Sequence, residues 1–479
     1  MISPSEKLAL AILIAGALFF TRAFGETTAF VGVNVIPMDH ERVLEDQTVV
    51  IEDGVIVAIG ARDVVTAPRR AKVIKGEGRT LMPGLADMHA HIAGYTGDDN
   101  VGDNPAIAAN QLLMYAATGV TLVRDAAGSP AHHVYKEKIA SGALVGPDLY
   151  FTSPVLEGPN SVWDFARKLL DPADADALVK QYAEDGYWGV KVYHTLTADV
   201  YDAVIAAGLR YDIPVIGHVP FEVGIDRALA AKQYSIEHMR GYDFDGVPVE
   251  RLKAGGGRTP ERFGSWLKMS DARMTALAEK TAAAGTWNAP TLAINRFLFD
   301  ASSRAALADH PRFAMAHPSM QNAVLNANTL DAIFSPDAKA ALEASNPRML
   351  QMVKALNEAG AGLLIGTDAV IPAYVPGFTP IDEIAAFIEA GLTNFEALRA
   401  ATADAARSLG VADRLGTVTV GKRANLILVD GDPLTDINAL WALEGVMLGG
   451  VWRDFEELET LLNEMAETFD ASEKPETLQ

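Results

Sequence analysis

Between residues 81 and 410, short β-branched runs alternate with stretches whose apolar positions recur at helical spacing. The runs are residues 84–91, GVTLVRDAA (119–127), DLYFTSP (148–154), WGVKVYHTL (188–196), IPVIGHVP (213–220), YSIEHM (234–239), GTWNAPTLAI (285–294) and AGLLIGTDAV (361–370). Segments such as YDAVIAAGLRYD (201–212) and RALAAKQY (227–234) separate them with helical period. Strands alternating with helices in this way predict an α/β fold, a (β/α)8 TIM barrel. Residues 295–350 are polar, Ala-rich and helical in pattern, and longer than one crossover needs. They are expected to form an inserted helical lid on the last barrel loops.

The chain ends have a different texture. TVVIEDGVIVAIG (48–60) sets two β-rich runs around Asp53-Gly54, a strong hairpin signal. LGTVTVGKRANLILVDGDPL (415–434) and GVMLGGVWRDF (445–455) look alike at the far end. Chain ends often lie near each other, so residues 26–80 and 411–455 are expected to build one small β-sandwich domain beside the 81–410 barrel. Residues 456–479 read as an acidic helix and a polar tail. Residues 8–20, LALAILIAGALFF, form an apolar run shorter than the ~20 residues that span a bilayer. Lys7 precedes the run, and Ala23 and Gly25 supply the small residues that a signal peptidase reads. Residues 1–25 are therefore expected to be a signal peptide cut before Glu26, with an uncleaved anchor as the rival. The expectation is an exported protein, periplasmic or secreted, without stable membrane insertion after cleavage.

Composition narrows the chemistry. The 479 residues carry a formal net charge of −22, which repels a phosphate backbone and makes nucleic acid a poor partner. There is no cysteine, so disulfides, thiolate zinc sites, iron–sulfur clusters and cysteine nucleophiles are excluded together. A metal site must use histidine, carboxylate or something less usual. No GxSxG, Walker loop or HExxH occurs.

The strongest chemical signal is Asp87-Met88-His89-Ala90-His91. Side chains alternate along a strand, so His89 and His91 point the same way and make half a metal site. Asp87 shares that face one layer deeper and is expected to orient an imidazole. His218 ends VIGH, with Pro220 close behind; His238 ends YSIEH; Asp368 ends LLIGTD. Each is polar at the C-terminal tip of an apolar strand, where barrel active sites form. One such histidine is an ordinary core residue; the repetition points to a shared metal centre. Lys191 lies inside an apolar strand, where an ammonium must be paired, neutral or modified. A neutral lysine amine can add carbon dioxide, and the resulting carbamate could bridge two divalent ions. The competing reading is a buried stem with a snorkelling head. Tyr193 shares parity with Lys191 and is a candidate to meet substrate, as are Tyr242 beyond His238 and Arg124, with Asp125, at a strand end. Packing tyrosines and an ordinary ion pair are the alternatives. His194 has the opposite parity and is expected outside the lumen unless the strand has ended; His132, His133, His310 and His317 read as surface residues.

GLADMHAH, the strand Lys191, VIGHVP, SIEHMRGY, IGTD and the closing GTVTVGKRANLILVDGDPL together resemble the amidohydrolase superfamily, nearest its imidazolonepropionase-like and prolidase-like secreted members. The resemblance runs over nearly all of residues 28–450. One departure is Asn425, where the family usually has Asp. The resemblance implies His89, His91 and Asp368 on one metal, His218 and His238 on a second, and carboxylated Lys191 between them. Nitrogen and oxygen ligands suit zinc first, with manganese, iron or cobalt open. Two cations flanking a water lower its pKa toward neutrality, and Asp368 is expected to carry the proton. The implied activity is hydrolysis of a C–N bond in a small-molecule amide, cyclic amide or peptide. Two alternatives stand beside it. One is a mononuclear deaminase, which would want a Glu at the third position after His218, where Phe221 stands and Glu222 follows. The other is a non-catalytic metal-binding scaffold. Homo-oligomerisation is left open.

Overall fold

The computed structural model describes residues 27–93, 104–161, 163–253, 257–294, 305–306, 308–325, 334–369 and 375–469. The expected signal peptide, the last ten residues of the tail and parts of the 295–350 insertion lie outside the described residues.

The N-terminal strands are β1 (Thr28–Val35), β2 (Leu44–Glu52), β3 (Val55–Ala61), β4 (Lys72–Lys75) and β5 (Thr80–Pro83). The middle contributes β6 (Leu85–Ala90), β7 (Val120–Asp125), β8 (Asp148–Phe151), β9 (Leu156–Glu157), β10 (Arg167–Lys168), β11 (Val190–Val192), β12 (Val215–Gly217), β13 (Ser235–Glu237) and β14 (Trp287–Ala289). The C-terminal part adds β15 (Leu426–Val429), β16 (Leu443–Leu448) and β17 (Val451–Asp454).

Both chain ends enter one sheet, in the order β17-β16-β15-β5-β1-β2-β3, with β4 also paired to β1. The join is the antiparallel β5–β15 pair, Leu81 facing Leu428. The Asp53-Gly54 turn closes the β2–β3 hairpin, with Glu52 opposite Val55. Both turn residues have positive φ, 51° and 77°, as a tight two-residue hairpin requires. A side chain at Gly54 would lie 2.7 Å from the Gly449 carbonyl. The sheet has its own core, in which Phe30, Leu81, Leu426 and Met447 pack with Trp452. Phe30 meets Trp452 edge-on at 5.1 Å. Asn425 ties this sheet to the middle of the chain: its amide nitrogen donates to Asp148 Oδ2 at 2.8 Å and its oxygen accepts from Gly449 N–H at 2.8 Å. An aspartate could not donate in that way.

The middle of the chain is parallel throughout. One sheet runs β10-β9-β11-β12-β13-β14 and a second β6-β7-β8, every neighbour parallel, with helices between most of the strands. Isolated parallel bridges link Thr152 to Gly189, Asn288 to Leu363, and Ala369 to Ala90. The run AGLLIGTDAV, expected as a strand, forms only these bridges rather than a ladder. It nonetheless follows β6 closely: Met88 N–H donates to Ile365, and Asp368 N–H to the His89 carbonyl. Gly366 permits the approach, since a Cβ there would sit 2.8 Å from His89 Cβ. The described residues between 295 and 350 are largely helical. Its long helix, Pro336–Glu358, is capped by Ser335 and carries Pro347 inside it.

Candidate metal centre

Strand β6 delivers His89, and His91 follows directly behind it; both are buried. Asp368 arrives from the 363–369 segment with φ 61°, in the left-handed region that a non-glycine residue enters only under constraint. Its constraint is the hydrogen bond from its own N–H to the His89 carbonyl, 2.6 Å. Ligand atoms of His89, His91 and Asp368 lie within 4.8 Å of one another. His91 Nε2 is 2.9 Å from Asp368 Oδ1, and His89 Nε2 is 3.4 Å from the same oxygen.

The remaining candidates come to the same place. Lys191 on β11 is buried, with Nζ 3.3 Å from His89 Nε2. It does not snorkel. The His238 ring lies 4.4 Å from that of His89 and 4.9 Å from that of His218, and His238 Nδ1 is 3.8 Å from Asp368 Oδ2. His238 also takes a left-handed backbone, φ 55°, where β13 ends. Thr291 Oγ1 meets its Nδ1 at 2.7 Å.

Sequence reasoning missed the residue that orients His89. Glu237, one position before His238, is fully buried, with Oε2 2.6 Å from His89 Nδ1. With the Nδ1 proton given to this carboxylate, Nε2 is left as the lone-pair donor facing Lys191 and Asp368. Glu237 is held in turn by the Arg124 guanidinium at 3.0 Å and by Ser235 Oγ–H at 2.6 Å. A charged residue inside the apolar run YSIEH was a signal of the same kind as Lys191. Asp87 does not orient an imidazole. It accepts from the backbone N–H groups of His89 and Thr367 and from the hydroxyls of Tyr115 and Thr367, so it fastens β6 to the segment carrying Asp368.

Burial sets the protonation. It pushes the imidazole of His91 down, and those of His218 and His238 well down, toward the neutral form that binds metals. It lowers Lys191 to about 8, against the opposing pull of Glu237 and Asp368. Burial would raise Asp368, but the histidines around it, His238 first and then His91, outweigh it and hold the carboxyl well below its ordinary value. Burial dominates at Asp87, pushed up to about 6.

The weaker candidates divide. Tyr193 stacks on His218, ring centres 3.9 Å apart, and so lies against the cluster. Arg124 is fully buried, giving Nε–H to the Met88 carbonyl and Nη2 to Glu237. It supports β6 and β13 rather than meeting substrate, and its partner is not Asp125. Tyr242 is buried as well, its hydroxyl shared between Thr281 and Asn288 at 2.8 and 3.1 Å, so it packs behind the strands. For His194 the proviso holds: β11 has ended at Val192, strand parity no longer applies, and His194 Nε2 lies 2.9 Å from His218 Nδ1. His132 is buried rather than exposed, because it caps its helix with Ser129 and meets Asp125 Oδ2 at 2.9 Å. His317 is buried too, and His310 rests against Phe378.

The arrangement is a cluster of nitrogen and oxygen donors, with His89, His91 and Asp368 as a candidate metal site, among strands arranged in parallel. Residues 80–453 match the Amidohydrolase family, and the chain belongs to it. An enamidase of Eubacterium barkeri is 35% identical over 101 residues, 21% of this chain and 24% of the enamidase, so the match spans about a quarter of that relative. Among solved structures, the bottromycin amidohydrolase superposes with TM-score 0.68 at 26% identity, covering 93% of this chain and 92% of that one. A Xaa-Pro dipeptidase with methionine bound in its active site gives TM-score 0.66 at 21% identity, covering 90% and 100%, and indicates a common fold.

Proposed function

We propose that the protein is a metal-dependent hydrolase that opens a C–N bond in a small amide, cyclic amide or peptide. In this reading His89, His91 and Asp368 would hold one divalent ion, His218 and His238 would hold a second, and a carboxylated Lys191 would serve both. The observation that carries it is the buried cluster of His89, His91 and Asp368, with Lys191 and His238 beside it and, among the described residues, His218 Nε2 lacking any hydrogen-bond partner. An orphaned, neutral imidazole nitrogen in the interior is a costly arrangement that cation binding relieves. Bound divalent ions would polarise a carbonyl and acidify a water. The protein's own contribution is then positional. Glu237 fixes His89, Thr291 fixes His238, and Asp368 takes a proton at its carboxylate and releases it to the leaving nitrogen.

We read the two parallel sheets and the 363–369 segment as a closed (β/α)8 barrel. The three isolated bridges support this, because they lead from β8 to β11, from β14 to Leu363, and from Ala369 back to β6. The mixed sheet with its own core supports a sandwich-like small domain. Export through residues 1–25 also remains our proposal, tested by the N-terminal sequence of the mature protein.

The deaminase reading is weaker. Glu222 is exposed and pairs with Lys253 at 2.5 Å, away from the cluster. A hydrolysis screen over N-acyl amino acids, Xaa-Pro dipeptides, lactams and lactones, run with elemental analysis, tests the proposal. Turnover of an amide by metal-replete protein is expected. Metal-replete protein inert on the whole panel contradicts it and revives the scaffold alternative.

A further inference from the structure

Strand β14 ends at Ala289, and the chain continues through Pro290 and Thr291. Thr291 takes φ 53°, in the left-handed region that a β-branched residue enters only under constraint. Its hydroxyl meets two groups there, the Pro290 carbonyl at 2.7 Å and His238 Nδ1 at 2.7 Å. A carbonyl only accepts, so the single hydroxyl proton goes to Pro290. The oxygen must then accept from His238. That puts the imidazole proton on Nδ1 and leaves Nε2 as the lone-pair nitrogen. The turn at Thr291 thus decides which nitrogen His238 can offer a cation.

The next two residues show what imposes the turn. Leu292 N–H donates to Glu383 Oε1 at 2.8 Å, and Ala293 N–H to Glu383 Oε2 at 2.6 Å. One carboxyl therefore grips two successive backbone groups from 91 and 90 residues further along the chain. Glu383 lies on the buried side of the helix Thr379–Glu389, together with Ile384 and Phe387, and is itself fully buried. A carboxyl in such company is costly unless its oxygens are bonded. Among the described residues no Lys, Arg or His pairs with it, and the backbone after Thr291 is what it holds.

We propose that Glu383 is a positioning residue for His238. It pins the Leu292 and Ala293 N–H groups, keeps Thr291 left-handed, and through the Thr291 hydroxyl selects the His238 tautomer whose Nε2 is free. This rests on the reading of His238 as a metal ligand and adds to its support a residue outside the cluster. The backing differs from that of His89, where the Glu237 carboxylate touches the imidazole itself. Here the carboxyl acts at one remove, through backbone geometry. Its removal should therefore disturb the ring only as far as Thr291 moves.

The test reads the His238 tautomer directly, in metal-stripped full-length protein whose histidines carry nitrogen-15. Long-range proton–nitrogen NMR correlations separate an Nδ1–H from an Nε2–H imidazole, and His238→Asn identifies the signal. The variants are Glu383→Gln, Thr291→Ala, Thr291→Ser, and Glu383→Gln combined with Thr291→Ala. Circular dichroism and zinc titration against a competing chelator accompany each. Wild type and Thr291→Ser are expected to hold the Nδ1–H tautomer, because serine keeps the hydroxyl. Glu383→Gln and Thr291→Ala are expected to populate both tautomers and to bind zinc about tenfold more weakly, as loss of an orienting partner implies. The double variant should bind zinc no more weakly than Thr291→Ala alone, since both changes act through one hydroxyl. A wild-type tautomer in Glu383→Gln or in Thr291→Ala, losses that multiply in the double variant, or a Glu383→Gln protein that does not fold overturns the proposal. Tautomers that shift as expected in a protein that binds no zinc would leave the Glu383 link standing and remove the metal reading instead.

Discussion

Replacing Glu237 by Gln tests the support beneath the metal centre. The side chain is fully buried and makes three partnerships: His89 Nδ1 at 2.6 Å, Arg124 Nη2 at 3.0 Å, and Ser235 Oγ at 2.6 Å. Glutamine keeps the shape but removes the charge and turns one oxygen into a donor. That donor must face either the His89 N–H or the Arg124 guanidinium. Arg124 is left a buried cation without an anion, a loss that typically costs about 3–5 kcal/mol. His89 loses the anion that fixes its tautomer, which lowers metal affinity roughly 10–100-fold. Urea unfolding of metal-stripped protein reads the first effect, and metal titration against a competing chelator the second. Adding Arg124→Met to Glu237→Gln separates them. With both charges gone most of the stability should return, whereas metal affinity should stay low. A Glu237→Gln protein indistinguishable from its parent in both assays refutes the reasoning. So does a double variant that recovers metal binding together with stability.

Three further outcomes are expected. Lys191→Ala should lose one of the proposed pair of metals and most of its activity; unchanged metal content rejects the bridging role. Asp368→Asn should keep its circular dichroism while turnover falls about 10²–10⁴-fold, the usual worth of a positioned proton carrier; a near-normal rate removes it from the mechanism. Glu383 gives a pH prediction. Burial raises its carboxyl to about 8, against the opposing N–H bonds of Ala293 and Leu292. The folded chain thus binds this proton more tightly than the unfolded chain does. The group's contribution is therefore fully present below the unfolded pKa and is lost as pH rises through about 8. Between those limits, wild type should lose stability relative to Glu383→Gln by about 1.4 kcal/mol per pH unit, read from urea unfolding as a function of pH. A difference independent of pH would contradict it.

Much of the centre was legible in the sequence, for simple reasons. Strand alternation put His89 and His91 on one side, and His218, His238 and Asp368 were read together because each stands at the tip of an apolar run. Lys191 stood out because an ammonium inside a β-branched run demands an explanation. What was missed depends on where elements stop and what neighbours supply. His194 was assigned by a strand parity that ends two residues earlier, at Val192. Arg124 sits near the tip of its strand, but its partners are the Met88 carbonyl and Glu237, and Tyr242 lies past the end of β13 with its hydroxyl shared between Thr281 and Asn288. Asp87 points inward as expected, yet backbone N–H groups reach it before any imidazole does. The 363–369 segment has strand composition, but Gly366 and the left-handed Asp368 keep it from forming a ladder.

The most direct measurement is anomalous diffraction from crystals of metal-replete protein, collected at the absorption edge of the metal that elemental analysis identifies. Paired peaks are predicted, one against His89, His91 and Asp368 and the other against His218 and His238. Density at Lys191 should extend past Nζ by a carboxylate that reaches both. A lone peak beside a bare lysine amine, or no peak among these side chains, would contradict the account at its centre.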